Sequence, residues 1–203
     1  MRSARTAAIL QAAVTVLQDV GYDRLTMDAV AAQARAGKAT LYRRWADKAA
    51  LVAEAIEHVK IGSQAAVPDT GSLRGDLEAV IDRITMERTG EELCVMRSLA
   101  TALSQDRRLA HLFHRTFLER RTRDMADLLR RAQQRGEIAA ERDIEALAQV
   151  FPTMVFARSL STSQPVERAW LDRLLNDVVM PAATAGVTTQ TPHQKQKPEE
   201  EQP

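Results

Sequence analysis

The sequence lacks the features that mark several large classes of protein. It has one cysteine, Cys94, which excludes both an internal disulfide and a multi-thiolate metal site. No apolar run approaches the roughly 20 residues that a membrane-spanning helix needs, and the start of the chain has no apolar signal-peptide core. With 45% apolar residues among 203, the composition is that of a folded protein of one or two domains. We therefore expect a cytoplasmic protein without membrane association.

Motifs of the common enzyme classes are also missing. We find no Gly-rich phosphate loop, nucleophile elbow or metal-ligand set. His111 and His114 lie three residues apart on a predicted helix, a spacing that can bind a metal, but no third ligand is evident and two solvated histidines are the better interpretation. Cys94 has apolar neighbours and is interpreted as a small buried hydrophobe rather than a redox sensor. The sequence therefore predicts no enzyme, no cofactor and no metal site.

The net charge of +1 hides an uneven distribution of charge. Residues 1–50 carry eight basic and four acidic side chains, whereas the rest of the chain is slightly acidic. A local cationic cluster suits a polyanion better than a neutral partner. The cluster contains five of the eight basic residues, namely Arg35, Lys38, Arg43, Arg44 and Lys48.

Apolar residues recur at three- and four-residue spacing along most of the chain, which predicts an all-α fold. The run 150–156 is the one strand candidate; its flanks keep helical spacing, so we interpret it as part of a helix that Pro152 kinks. Gly21 is expected to stop the first helix in the left-handed conformation. The predicted helices span about 3–20, 27–33, 37–44, 48–61, 73–89, 91–104, 107–135, 143–162 and 166–183.

Residues 26–48 have the pattern of a helix-turn-helix DNA reader. Thr26 and Asp47 are predicted N-caps of the second and fourth helices, and Gly37 opens the third. On the third helix, Leu41 and Trp45 share the inward face because they lie four residues apart. The outward face then carries cations and hydroxyls, and an α-helix of this kind fits the major groove of B-DNA. Its outward pairs are Lys38 with Tyr42, Ala39 with Arg43 and Thr40 with Arg44.

Three stretches carry a resemblance to a known family: 21–31 (GYDRLTMDAVA), 38–45 (KATLYRRW) and 47–51 (DKAAL). They resemble the N-terminal domain of TetR/AcrR transcriptional regulators over about residues 6–55. The resemblance implies an N-terminal three-helix domain, joined by a fourth helix to a helical bundle for ligand binding and dimerisation. It further implies a homodimer, usually a repressor, that a small molecule releases from operator DNA. The corresponding domains are 1–48 for DNA binding, 49–183 for effector binding and dimerisation, and 184–203 as a disordered tail.

Matching positions give each residue of the DNA reader an expected role. The resemblance implies phosphate contacts from Thr26, Lys38, Tyr42 and Lys48. It implies base contacts from Ala39, Thr40 and Arg43, with Arg44 as a further candidate, and Arg2 and Arg5 would form a flexible arm.

The turn before the third helix departs from the family pattern. Arg35 stands where the family usually has glycine, and Gly37 stands where it usually has serine. If residue 35 must adopt a positive φ, arginine there costs on the order of 1 kcal/mol, so either the turn differs or the strain is tolerated. We expect Arg35 to compensate for the lost serine hydroxyl with a phosphate contact.

The C-terminal part gives weaker indications of a ligand site. Aromatic and methionine residues recur there at helical spacing, a pattern that fits the core of a bundle at least as well as a pocket. The last two predicted helices carry more apolar surface than a small domain can bury, so we expect them to pair with a second copy in a four-helix bundle. The residues expected to line a lipophilic effector site are Phe113, Phe117, Met125, Phe151 and Met154.

Two functions remain open from the sequence. The first is a ligand-responsive homodimer whose two reader helices enter successive major grooves of a palindromic operator, and whose effector favours a dimer with a different separation of those helices. The alternative is a helical protein-interaction module with only non-specific DNA affinity. A large ratio of specific to non-specific DNA affinity distinguishes the first from the second.

Overall fold

The computed structural model describes residues 4–58, 66–86, 99, 101–162 and 166–186. The interpretation of Cys94, the expected role of Arg2, most of the predicted helix 91–104 and most of the predicted tail lie outside these residues. The described residues form helices and no strands, so the predicted all-α fold is confirmed.

The N-terminal helices are α1 (Ala4–Arg24), α2 (Met27–Gln33), α3 (Lys38–Tyr42) and α4 (Lys48–His58). The C-terminal helices are α5 (Leu73–Met86), α6 (101–105), α7 (Arg107–Phe113), α8 (Glu119–Gln134), α9 (Ile144–Ser161), α10 (Arg168–Arg173) and α11 (Met180–Thr184). Two π-helical segments lie within this series. His114–Leu118 joins α7 to α8, and Leu174–Val179 joins α10 to α11.

Two helix ends differ from the prediction. Gly21 interrupts α1 with the predicted positive φ, +76°, but its ψ of 169° lies outside the left-handed helical region, and one more helical turn follows the kink, to Arg24. α3 ends at Tyr42 rather than at Arg44. The strand candidate 150–156 lies in α9, which continues across Pro152, so the helical interpretation of this run is confirmed.

The buried residues form two hydrophobic cores, and each core is built mainly from a different set of helices. The first core joins α1 to α4 and extends into α7 and the first π-helical segment through Leu109, Phe113 and Phe117. The second core joins α5, α8, α9 and the C-terminal helices, around residues such as Phe151 and Leu171. The N-terminal helices are therefore built on the same apolar interior as α7.

Candidate nucleic-acid interface

The loop between α1 and α2 ends in a side-chain cap. Thr26 has an extended backbone, and its Oγ1 accepts a hydrogen bond from the amide of Ala29 at 3.1 Å. This geometry satisfies one of the amides that the first turn of a helix leaves without a partner. The predicted N-cap is confirmed, and the Thr26 side chain remains exposed at the start of α2.

The turn between α2 and α3 keeps the backbone shape that usually needs glycine. Arg35 has φ +49°, and among the described residues it alone has a positive φ without being glycine. The amide of Ala36 bonds to the carbonyl of Ala31 at 2.9 Å, and that of Arg35 to Ala32 at 3.1 Å, which is a Schellman pairing with Arg35 in the left-handed position. The turn is therefore unchanged and the strain of arginine is tolerated.

α3 has one buried face and one exposed face. Leu41 and Trp45 are buried, as the spacing predicted. Lys38, Ala39 and Arg43 are exposed, and Tyr42 keeps 54% of its surface, a large fraction for an aromatic side chain. Such an exposed row of cationic, hydroxyl and small side chains is poorly explained by packing within one chain.

Two cations near α3 have partners within the protein. The Lys38 ammonium lies 2.5 Å from a carboxylate oxygen of Asp28, and both side chains are more than half exposed, so this ion pair contributes little to stability. Arg44 is also exposed, and its guanidinium has partners on two other helices. It donates to Thr6 Oγ1 at 3.2 Å and to Glu54 Oε1 at 3.3 Å.

Glu54 and the indole of Trp45 complete the surroundings of Arg44. Trp45 Nε1 donates to Glu54 Oε2 at 2.8 Å, and the guanidinium of Arg44 lies 5.3 Å from the Trp45 ring centroid. Arg44 thus links α3 to α1 and α4. Arg44 is nevertheless exposed and lines the same surface as Thr40 and Arg43, two residues expected to contact bases.

A basic groove lies between the start of α1 and α3. It has a volume of about 330 Å³, and arginine side chains from both helices line it. Arg5 was expected in a flexible arm, but it belongs to α1 and faces this groove. Because Arg5 is 38 residues from Arg43, only its charge could have pointed to this role. The groove is lined by Arg5, Thr6, Ile9, Thr40, Arg43, Arg44 and Trp45.

Lys48, the first residue of α4, reaches back to the end of α1. Its Nζ donates to the carbonyl oxygens of Tyr22 at 3.1 Å and Asp23 at 3.4 Å, and lies 4.4 Å from the Tyr22 ring centroid. The carbonyls at a helix end carry partial negative charge, so a cation is favoured there. In this arrangement Lys48 fixes the start of α4 against α1.

Two aspartates connect the N-terminal helices to α7. Asp47 Oδ1 accepts from the amide of Ala50 and caps α4, while Asp47 Oδ2 pairs with Arg108 at 2.5 Å. Asp106 Oδ1 accepts from the amides of Arg108 and Leu109 and caps α7, while Asp106 Oδ2 accepts from the Tyr22 hydroxyl at 2.5 Å. We call Asp47–Arg108 and Tyr22–Asp106 the cap contacts. Each aspartate holds its own helix with one oxygen and the opposite element with the other.

The Tyr22–Asp106 contact shifts the ionisation of both groups. Burial, followed by the hydrogen bond to Asp106, raises the pKa of the Tyr22 hydroxyl well above its ordinary value. The hydrogen bond from Tyr22, followed by the Leu109 amide, lowers the pKa of the Asp106 carboxyl. Asp47 was predicted as a cap, but sequence gave no signal for either cross-contact because the partners are far apart in the chain.

The structure does not bring the five predicted ligand residues together. Phe113 and Phe117 lie in the first core, with their ring centroids 4.6 Å apart. Met125 and Phe151 lie in the second core, and Met154 is 39% exposed on α9. Phe156 belongs to the same series of aromatic and methionine residues but not to the five expected to line the site; its ring lies 5.0 Å from the Phe113 ring and completes an aromatic cluster.

Neither a metal cluster nor a membrane span is found in the part of the chain that the structure describes. No group of three potential ligands occurs there, and His114 lies 3.4 Å from Glu119. Among the described helices, none combines the length and the hydropathy needed to cross a bilayer.

Comparison with known proteins gives matches over both halves of the chain. Residues 9–55 match the model described as bacterial regulatory proteins, tetR family, and residues 67–178 match a tetracyclin repressor-like, C-terminal domain. An uncharacterized HTH-type transcriptional regulator of Mycobacterium tuberculosis is 36% identical over 184 residues, which cover 90% of this chain and 89% of that protein.

Two further proteins are similar over most of their length. The DNA-binding transcriptional repressor TetR of Mycobacteroides abscessus is 34% identical over 176 residues, 87% of this chain and 92% of that protein. The crystal structure of a TetR family transcription regulator matches with a TM-score of 0.65 at 28% identity, covering 87% of this chain and 97% of that one.

Proposed function

Because this chain belongs to the TetR family of DNA-binding transcriptional regulators, we propose that it is a homodimeric repressor of a palindromic operator, released by a small lipophilic effector. Family membership identifies a regulator rather than an enzyme. We propose residues 1–48 as the DNA-binding domain, 49–183 as the effector and dimerisation domain, and 184–203 as a tail. Its site of action is the cytoplasm, where bacterial operator DNA lies.

The observation that carries this proposal is the two-sided character of α3. Its buried residues fix the helix against the first core, so that the orientation of the exposed residues is set before DNA arrives. A rigid helix with exposed cations and small side chains can enter a major groove without clashes from bulky apolar groups.

We assign roles to the exposed residues from their positions. Ala39, Thr40 and Arg43 face bases, and Arg43 is suited to a guanine because a guanidinium can donate two parallel hydrogen bonds. Thr26, Arg35, Lys38 and Tyr42 contact phosphates, as does Arg5 across the basic groove. We further assign Lys48 a phosphate contact, which requires its ammonium to keep a donor available beside the Tyr22 and Asp23 carbonyls.

We assign Arg44 a positioning role rather than a base contact. Its bonds to Thr6 and Glu54 hold the end of α3 against α1 and α4. Loss of the Arg44 side chain should therefore weaken binding to all operator sequences alike, without changing the preference for any one base.

The dimer contact is proposed for α9 and the C-terminal segment 168–184. On α9, Leu147, Val150 and Met154 lie at three- and four-residue spacing and remain partly or largely exposed. Val178 is 39% exposed on the C-terminal segment. The apolar row on α9 and the exposed Val178 on the neighbouring segment would be covered in a four-helix bundle with a second copy.

The response to an effector is proposed to pass through α4 and the cap contacts. α4 begins beside α1 at Lys48 and packs on α7 and on the π-helical segment that follows α7. An effector that prefers a shifted α4 or α7 changes the spacing of the two reader helices and so depletes the DNA-binding state.

Selection of bound fragments from random duplex DNA tests the function. A regulator yields a two-fold-symmetric consensus, and titration should then show a specificity ratio of roughly a thousandfold or more at fixed salt. Binding that ignores sequence and is lost in moderate salt would contradict the proposal and favour the interaction module.

A further inference from the structure

The last turn of α4 carries a carboxylate that is buried without full hydrogen bonding. Glu57 keeps only 14% of its side-chain surface. Within the described residues, its buried Oε1 atom has no hydrogen-bond donor. Arg121 lies 3.7 Å from Oε1 and Arg120 lies 3.5 Å from Oε2, distances of an ion pair rather than of well-formed hydrogen bonds. A buried acceptor in this state is a place where a donor from outside the protein is favoured.

Arg121 covers an aromatic surface beside this carboxylate. Its guanidinium lies 3.4 Å from the Phe117 ring centroid, and it donates to the Phe117 carbonyl at 2.9 Å. Burial lowers the pKa of Arg121 to about 10, although the charge of Glu57 opposes this shift. The guanidinium is therefore a flat group stacked on an aromatic face.

The aromatic surface is larger than one ring. Phe113, Phe117 and Phe156 form a cluster with centroid distances of 4.6, 5.0 and 6.2 Å. Phe117 lies in the π-helical segment 114–118, and π-helical turns occur frequently at functional sites. The apolar cluster and the polar group are therefore contributed by α4, α7, the π-helical segment 114–118 and α9.

We propose that the effector is a neutral aromatic molecule with a hydroxyl group, whose hydroxyl donates to Glu57 Oε1 and whose ring replaces the Arg121 guanidinium on Phe117. This inference rests on the proposed function, since it names the chemical class that the regulator senses.

The charges around Glu57 favour a neutral donor over a charged group. An ionised carboxylate on the ligand has no hydrogen to donate to Glu57 Oε1, and an ammonium would lie beside the two guanidinium groups, of Arg120 and Arg121, that already offset the charge of Glu57. A hydroxyl satisfies Oε1 without adding charge, and a hydrogen bond to an ionised acceptor is stronger than one between neutral groups. The displaced Arg121 gains hydration when it leaves the aromatic cluster.

The location gives the ligand a direct effect on the DNA reader. Glu57 and Lys48 belong to the same helix, α4. A ligand that bonds to Glu57 and displaces Arg121 therefore acts on the helix whose first residue, Lys48, contacts the end of α1. Phe113 ends the helix that Asp106 caps. The proposed site therefore contacts α4 and α7, two of the three helices that the cap contacts join.

Fluorine NMR of the full chain with 4-fluorophenol and 4-fluoroanisole tests the inference. The two probes differ in the hydroxyl that donates, and both are neutral at pH 7. We expect 4-fluorophenol to bind at least about tenfold more tightly, which corresponds to about 1.4 kcal/mol. Overhauser transfer from bound 4-fluorophenol should reach the ring protons of Phe113 and Phe117. Equal affinities, absent binding of 4-fluorophenol at millimolar concentration, or transfer only to other residues would overturn the inference.

Glu57→Gln provides the specific variant and Glu119→Gln its matched control. Both remove one carboxylate charge, but Glu119 is exposed near the start of α8. Glu57→Gln should weaken the binding of 4-fluorophenol about tenfold and change the affinity for 4-fluoroanisole by less than about twofold. Glu119→Gln should change neither affinity. Similar effects of the two variants would overturn the inference. The wild-type comparison needs no variant, so misfolding of Glu57→Gln does not decide the outcome.

Operator selection with the same protein separates the two proposals. A symmetric consensus together with equal affinities for the two probes would support the repressor function and contradict only the proposal of a hydroxyl-bearing aromatic effector. Failure to select any consensus removes the repressor function, whatever the probes do.

Discussion

The hydroxyl of Tyr22 donates to the carboxylate of Asp106, 84 residues away, at 2.5 Å. This bond joins the end of α1 to the N-cap of α7. Asp47 and Arg108 make the second cap contact at the same boundary. Polar bonds thus join the DNA reader to the C-terminal helices, and their geometry depends on the positions of the first turns of α4 and α7.

Tyr22→Phe removes the hydroxyl and leaves the ring in place. Asp106 Oδ2 then loses a donor in a partly buried setting, and we expect the free energy of unfolding to fall by about 1–2 kcal/mol. Urea denaturation measures this change, with Tyr42→Phe as a control at an exposed position. A midpoint equal to that of the wild type, with an unchanged slope, would contradict the role of this bond.

The same bond predicts how stability depends on pH. The pKa of Asp106 is lowered in the folded protein, so its contribution is present above the ordinary aspartate pKa of about 3.9 and is lost as pH falls below it. The pKa of Tyr22 is raised, so its contribution is present below the ordinary tyrosine pKa of about 10 and is lost as pH rises above it. Thermal melts from pH 3 to 11 should therefore show that the melting temperature of Tyr22→Phe depends less on pH than that of the wild type, at both the acidic and the alkaline end of this range. Parallel wild-type and variant curves would refute this.

Arg35→Gly should separate backbone strain from DNA contact. Glycine adopts φ +49° without steric cost, so the variant should be more stable by up to about 1 kcal/mol. If Arg35 also contacts a phosphate, operator affinity should fall and the slope of log affinity against log salt should decrease by about one. Arg35→Asn is the companion variant, because asparagine tolerates this conformation and lacks the charge. Equal stability of Arg35→Gly and wild type would show that the turn carries no strain.

Arg43→Ala and Lys48→Ala should affect DNA binding differently. Loss of Arg43 should relax preference at one base-pair position by about 1–3 kcal/mol. Loss of Lys48 should weaken all sequences alike. Competitive titration with single-base operator variants measures both effects. A uniform loss from Arg43→Ala would show that Arg43 contacts only the backbone.

Met154→Asp combined with Val178→Asp tests the dimer surface. An aspartate at each of these exposed apolar positions should prevent association with a second copy, because its charge would be buried in the dimer without a partner. Sedimentation should show a monomer with normal helical content, and operator affinity should fall because two reader helices no longer bind together. A dimer that persists in this variant would place the interface elsewhere.

Local features of the DNA reader were predictable from the sequence. The Thr26 cap and the inward Leu41 and Trp45 follow from spacing and capping chemistry within a few residues. The positive φ of Arg35 was left open, because only the glycine usual in the family at that position pointed to it. The bonding partners of Arg44 were not predictable, because Thr6 and Glu54 lie on other helices. The split of the predicted ligand residues between two cores has the same cause: helical spacing shows which face is apolar, not which neighbour it meets.

The first core has a practical consequence for dissecting the protein. Because Leu109, Phe113 and Phe117 pack into the interior of the N-terminal helices, a fragment that ends at His58 would expose that interior to water. Such a fragment should be unstable or aggregate, unlike an independent module that can be grafted onto other effector domains. Chimeric regulators built from this chain should therefore retain α7 and the segment 114–118 together with the reader.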